Sequence, residues 1–138
     1  GYSVQQTTDG GYIVCGMVGS YETMTTGVLL IKTDSNGKKL WGRTFGGDIG
    51  SSVQQTTDGG YIACGTATSY ETNKNKRGVW LIKTDAKGNK LWDKTFEDER
   101  FARGESVQQT TDGGYIVSGT VSFEGSEHVL LLKIAPVQ

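Results

Sequence analysis

Three residue pairs, Tyr21-Glu22, Tyr70-Glu71 and Phe123-Glu124, put an aromatic ring beside a carboxylate at the same place in three related segments. Such rings stack on sugars or grip an extended peptide, because a flat apolar surface supplies contact area at low conformational cost. Two carboxylates facing each other, for instance Glu22 and Glu71, would instead form the acid and base of a hydrolase or lyase. A third reading needs no chemistry, since residues repeated in near copies of one segment are also what inherited loop packing leaves behind. Other reactive types are sparse. One histidine, His128, and two cysteines, Cys15 and Cys64, fall short of a four-ligand zinc site. No Gly-x-Ser-x-Gly elbow and no Gly-x-x-x-x-Gly-Lys phosphate loop occurs. The stretch Glu97–Glu105 carries four acids and two arginines, but not in the Asp-x-Asp-x-Asp-Gly order of a calcium loop, and reads as surface ion pairing. The expectation is a non-catalytic chain with no metal and no cofactor. An enzyme of hydrolase or lyase type using those acids is the alternative.

The elements that would position these pairs follow from a repeat. The undecapeptide SVQQTTDGGYI stands unaltered at Ser3–Ile13, Ser52–Ile62 and Ser106–Ile116, with starts 49 and 54 residues apart. Periods of this length belong to solenoids, propellers or arrays. Within the first unit, Ser3–Thr7, Tyr12–Gly16, Val28–Thr33 and Lys39–Phe45 read as four short strands. They are separated by Asp-Gly and Asn-Gly turns that supply the positive φ a tight hairpin needs. Gly11, Gly60 and Gly114 are structural residues of the first of these turns.

The third strand is the most informative about its surroundings. It reads Val28-Leu29-Leu30-Ile31, Val79-Trp80-Leu81-Ile82 and Val129-Leu130-Leu131-Leu132, each followed by lysine. Runs that do not alternate belong to strands covered on both faces. The first strand, with Gln5-Gln6, Gln54-Gln55 and Gln108-Gln109, belongs near water. The fourth sets Trp41 with Phe45, and Trp92 with Phe96, among basic residues. A four-stranded antiparallel sheet of this make-up describes a blade of a β-propeller. The expected organisation is one three-blade unit over 1–138, with blades at 1–49, 50–103 and 104–138. The last lacks its outer strand, because Lys133-Ile134-Ala135-Pro136 replaces the turn into it.

The motifs DGGYI (Asp9–Ile13), LIKTD (Leu30–Asp34) and Gly-x-x-x-Trp (Gly37–Trp41) recur at Asp58–Ile62, Leu81–Asp85 and Gly88–Trp92. In these the chain resembles the secreted and cell-surface propeller repeats of bacteria and archaea, over nearly its whole length. The segments Asp34–Trp41 and Asp85–Trp92 are also similar to the tryptophan-docking turn of quinoprotein-like propellers. There the indole wedges between neighbouring blades, and Trp41 and Trp92 are the matching residues. The resemblance implies an extracellular or cell-surface setting; it implies no reaction.

Composition narrows the partners. The 14 Lys and Arg balance 15 Asp and Glu, leaving a net charge of −1 and no basic footprint for nucleic acid. No apolar run approaches the roughly 20 residues that cross a bilayer, so no membrane insertion is expected. Cys15 and Cys64 occupy equivalent places, which stacked sheets hold about 10 Å apart, so they are expected as free buried thiols rather than a disulfide. The connections Met17–Gly27, Thr66–Gly78 and Thr120–His128 vary in length, as do Gly46–Ser51 and Glu97–Glu105, and they mark the binding face, with a glycan or peptide as ligand. Three blades do not close a ring that typically needs 4–8. Closure would come from a homodimer of six blades or from further blades of a longer parent chain.

Overall fold

The computed structural model describes residues 2–20, 22, 25–46, 49–69, 76–97 and 101–136. Every regular element among them is a strand. They are β1 (Ser3–Gln6), β2 (Tyr12–Ser20), β3 (Thr25–Thr33), β4 (Lys39–Phe45), β5 (Ile49–Gln55), β6 (Tyr61–Ser69), β7 (Lys76–Thr84), β8 (Lys90–Glu97), β9 (Phe101–Gln109), β10 (Tyr115–Phe123) and β11 (Ser126–Ile134). They form three antiparallel sheets in chain order, β1-β2-β3-β4, β5-β6-β7-β8 and β9-β10-β11. The all-β class, the four-stranded sheets and a third sheet short of one strand agree with the repeat reading. The fourth strands begin and end close to expectation.

The second and third strands run further than the composition suggested. β2 pairs with β3 out to Ser20↔Thr25, and β10 with β11 out to Phe123↔Ser126. Much of the connections expected over Met17–Gly27, Thr66–Gly78 and Thr120–His128 is therefore ladder, and the links between strands shrink to 21–24, 70–75 and 124–125. The acidic stretch is shortened in the same way. β9 takes in Phe101–Glu105 and buries Ala102. Polar and small residues here follow the ladder because the partner strand already fixes the backbone, and propensity alone does not set where a hairpin ends.

The sheets stack through two apolar layers. Ile13, Cys15, Val28 and Leu30 of the first sheet meet Val53, Tyr61, Ala63, Trp80 and Ile82 of the second. On its other face the second sheet puts Ile62, Cys64, Val79 and Leu81 against Val107, Tyr115 and Val117 of the third. Among the described residues only the middle sheet is covered on both faces, and only its β7 is buried without interruption over Val79-Trp80-Leu81-Ile82. The equivalent run of β11 leaves Val129 87% and Leu131 66% exposed. Cys15 and Cys64 are free and buried, and burial pushes each thiol up to about 12.

Candidate binding face

Antiparallel topology sends the connections of each sheet to two ends, and the two ends differ in kind. At one end lie the turns after β1, β5 and β9, built alike from Thr-Thr-Asp-Gly-Gly. The first glycine takes positive φ, 85° at Gly10. The Asp9 carboxylate accepts from the Thr7 hydroxyl and from the Gly11 amide at 2.9 Å, and pairs with Lys32 at 3.0 Å. Lys32 also donates to the Thr33 carbonyl at 2.7 Å. A β-carbon at Gly11 would collide with that carbonyl oxygen and come within 2.6 Å of the ammonium. The second glycine thus opens room for a lysine that staples β3 to the turn. Asp58 with Lys83 repeats the arrangement, and Asp112 pairs with Lys133 at 3.2 Å, where the ammonium donates also to Thr110 Oγ1 at 3.0 Å.

Environment separates the three copies. The side chains of Lys32 and Lys83 are 5% exposed, whereas that of Lys133 is 48% exposed because no sheet covers it. The Thr7 hydroxyl, the Gly11 amide and Lys32 hold the Asp9 carboxyl well below its ordinary range. Burial pushes the Asp58 carboxyl up, but the Thr56 hydroxyl, the Gly60 amide and Lys83 outweigh it and bring the group to about 2. Asp112 is brought to about 2 by the Thr110 hydroxyl, the Gly114 amide and Lys133. This end is a set of closed hydrogen-bonded turns with no reactive group to spare.

Between the ends, the first strands of successive sheets are tied by side chains. Gln55 and Val53 donate their backbone N–H groups to Gln5 Oε1 at 2.7 Å and to Ser3 Oγ at 3.3 Å. The Thr8 amide in turn reaches Gln55 Oε1 at 2.9 Å. The next junction repeats all three bonds, Gln109 N to Gln54 Oε1, Val107 N to Ser52 Oγ and Thr57 N to Gln109 Oε1. Gln5, Gln54, Gln55 and Gln109 of the pairs that mark these strands as polar are therefore cross-links that satisfy exposed strand edges.

The other end carries the links 21–24, 70–75 and 124–125 and the crossovers between sheets. Of the paired aromatics and acids, Tyr21, Tyr70 and Glu71 lie outside the described residues, so a Glu22–Glu71 pair does too. Glu22 is exposed. Phe123 is 51% exposed at the tip of the β10–β11 hairpin, and Glu124 and Gly125 are its two turn residues, with φ of 48° and 78°. Glu124 is thus placed by a two-residue turn that demands positive φ at both positions. Beside it Arg103 pairs with Glu127 at 3.1 Å and Glu105 at 3.8 Å, the surface ion pairing expected of the acidic stretch. No group of three or more His, Cys, Asp or Glu residues is placed to hold a metal ion among the described residues.

The ammonium staple was not singled out in the sequence. Its signal was there, in a lysine that follows each apolar run at the same distance from an Asp-Gly-Gly turn. Compared with known proteins, the chain matches no family model and no curated protein.

Proposed function

We propose that the three sheets are blades of a β-propeller and that the chain is a non-catalytic binding scaffold of the secreted or cell-surface kind. It would engage a glycan or an extended peptide through the end that carries the links between second and third strands and the crossovers between sheets. The observation that carries this reading is the contrast between the two ends. One is spent on identical, internally bonded turns, while the other differs from repeat to repeat and presents Phe123 at an exposed hairpin tip beside a carboxylate. In repeat scaffolds the face that varies is commonly the one that binds. The propeller reading itself is supported by sheets in chain order, stacked face to face, with their first strands cross-linked edge to edge.

The test is an array of glycans and extended peptides probed with the folded chain. A ligand that binds, and binds at least about tenfold more weakly to a Phe123→Ala variant of unchanged melting temperature, supports the reading; a loss of that size corresponds to about 1.4 kcal/mol. Binding that is indifferent to Phe123 and to Glu22 places the ligand elsewhere and overturns it.

A further inference from the structure

Each internal junction joins two different faces of the repeat. A forward face, Ile13, Cys15, Val28 and Leu30 in the first sheet, meets a rear face, Val53, Tyr61, Ala63, Trp80 and Ile82 in the second. The second and third sheets repeat the pairing. Among the described residues one face of each kind remains uncovered. The third sheet's forward face carries Ile116, Ser118, Val129 and Leu131, and Val129 is 87% exposed where Val28 and Val79 are fully buried. The first sheet's rear face carries Val4, Tyr12, Val14, Leu29 and Ile31, and Val4 is 66% exposed where Val53 is buried. A cleft of about 390 Å³ runs along the first strands of all three sheets, from Val4 past Val53 and Val107 to Ile116, Ser118 and Leu131.

We infer that a second copy of this chain covers both faces at once, head to tail, its rear face on this forward face and its forward face on this rear face. The inference rests on the propeller reading. It commits to a second copy because the surface that fits a forward face is already defined twice inside the chain, and the first sheet holds the one uncovered example among the described residues. The two junctions, forward on rear and rear on forward, are related by a two-fold axis and together make one self-complementary interface.

The hydrogen bonds of that junction follow from the internal ones. Ser106 Oγ and Gln108 Oε1 stand where Ser3 and Gln5, and Ser52 and Gln54, accept from the next strand edge. They accept from the backbone N–H groups of Val4 and Gln6 of the second copy. The amide of Thr111, equivalent to Thr8 and Thr57, reaches the Gln6 side chain of that copy. The Lys133 side chain becomes buried, as those of Lys32 and Lys83 are, while its aspartate stays at the surface. No tryptophan joins this junction, because the third sheet has no described strand equivalent to β4.

Light scattering at micromolar concentration is expected to give twice the 14.9 kDa mass of the chain. Val129→Glu and Val4→Glu each place a charge on one exposed face and leave the stacked core untouched. Each variant alone is expected as a folded monomer. Mixed in equal amounts they are expected to form a heterodimer, since the first retains an intact rear face and the second an intact forward face. A monomeric parent chain, or a Val4→Glu variant that still dimerises, overturns the inference. Thiol labelling run in parallel separates the two levels. Protected Cys15 and Cys64 in a monomer leave the stacked sheets standing and refute only the ring, whereas rapid labelling of the native chain refutes the stacking itself.

Discussion

The indole of Trp41 stands 5.9 Å from the ring of Tyr61, centroid to centroid, at an interplanar angle of 59°. The two residues belong to different sheets, and Trp92 repeats the contact with Tyr115 at 5.9 Å and 60°. The Arg43 guanidinium covers Trp41 from 5.9 Å. Gly88, at the turn before β8, gives the indole its room, since a β-carbon there would come within 2.7 Å of Trp41 Cζ3. Each tryptophan thus reaches from the last strand of its own sheet onto the next.

Trp41→Ala is expected to lower the melting temperature and to loosen the first sheet from the second. The ring is half-buried, so the loss should fall below the roughly 3–5 kcal/mol of a fully buried large aromatic. Chemical denaturation of the variant measures it. A change within scatter would mean that the indole only rests on an exposed edge.

Gly60→Ala is expected to be strongly destabilising, because the added β-carbon collides with the Thr84 carbonyl oxygen and stands 2.7 Å from Lys83 Nζ. Neither the backbone nor a lysine buried at 5% exposure yields easily, and the cost should reach at least the roughly 1–3 kcal/mol of an overpacked core. Gly46→Ala is the control, with nothing within 4 Å of its added atom and no positive φ. Equal melting temperatures for the two variants would remove the turn staple from the account.

Stability is expected to fall in acid over a defined window. Asp58 and Asp112 titrate near 2 in the folded chain and near about 3.9 unfolded, so the unfolded chain binds more protons between those values. Their contribution is complete above about pH 4 and is lost as pH falls toward 2. Asp58→Asn should flatten that slope and also destabilise at neutral pH, where it leaves the buried Lys83 without its counter-charge. Asp112→Asn should flatten the slope with a smaller neutral loss, because Lys133, at 48% exposure, stays solvated without its partner. Equal neutral-pH losses, measured by denaturant titration at pH 7, would contradict the burial difference.

Glu124→Asn should stabilise the β10–β11 hairpin by a few tenths to about 1 kcal/mol, since asparagine tolerates the positive φ that glutamate adopts there at some cost. A loss of stability on that substitution would show that the carboxylate is held by something other than the turn.

Sequence alone determined the repeat, the antiparallel sheets and the free thiols, because those rest on local chemistry and on the repeat itself. Asp9-Gly10-Gly11 makes a turn whatever surrounds it, and equivalent residues in stacked sheets stay a sheet apart. The glutamines also announced themselves as polar, but a polar strand looks the same whether it faces water or caps a neighbouring edge. Only the stacking assigned Gln5 to the backbone of Gln55. Tertiary structure likewise decided how far strands run past Gly16 and before Val28, since pairing in the ladder overrides weak local preference. It also gave three nearly identical runs three fates. Val28, Val79 and Val129 share one pattern, yet the first two are buried and the last is open to solvent. Burial is a property of what lies across from a residue, and no period within a single strand records it.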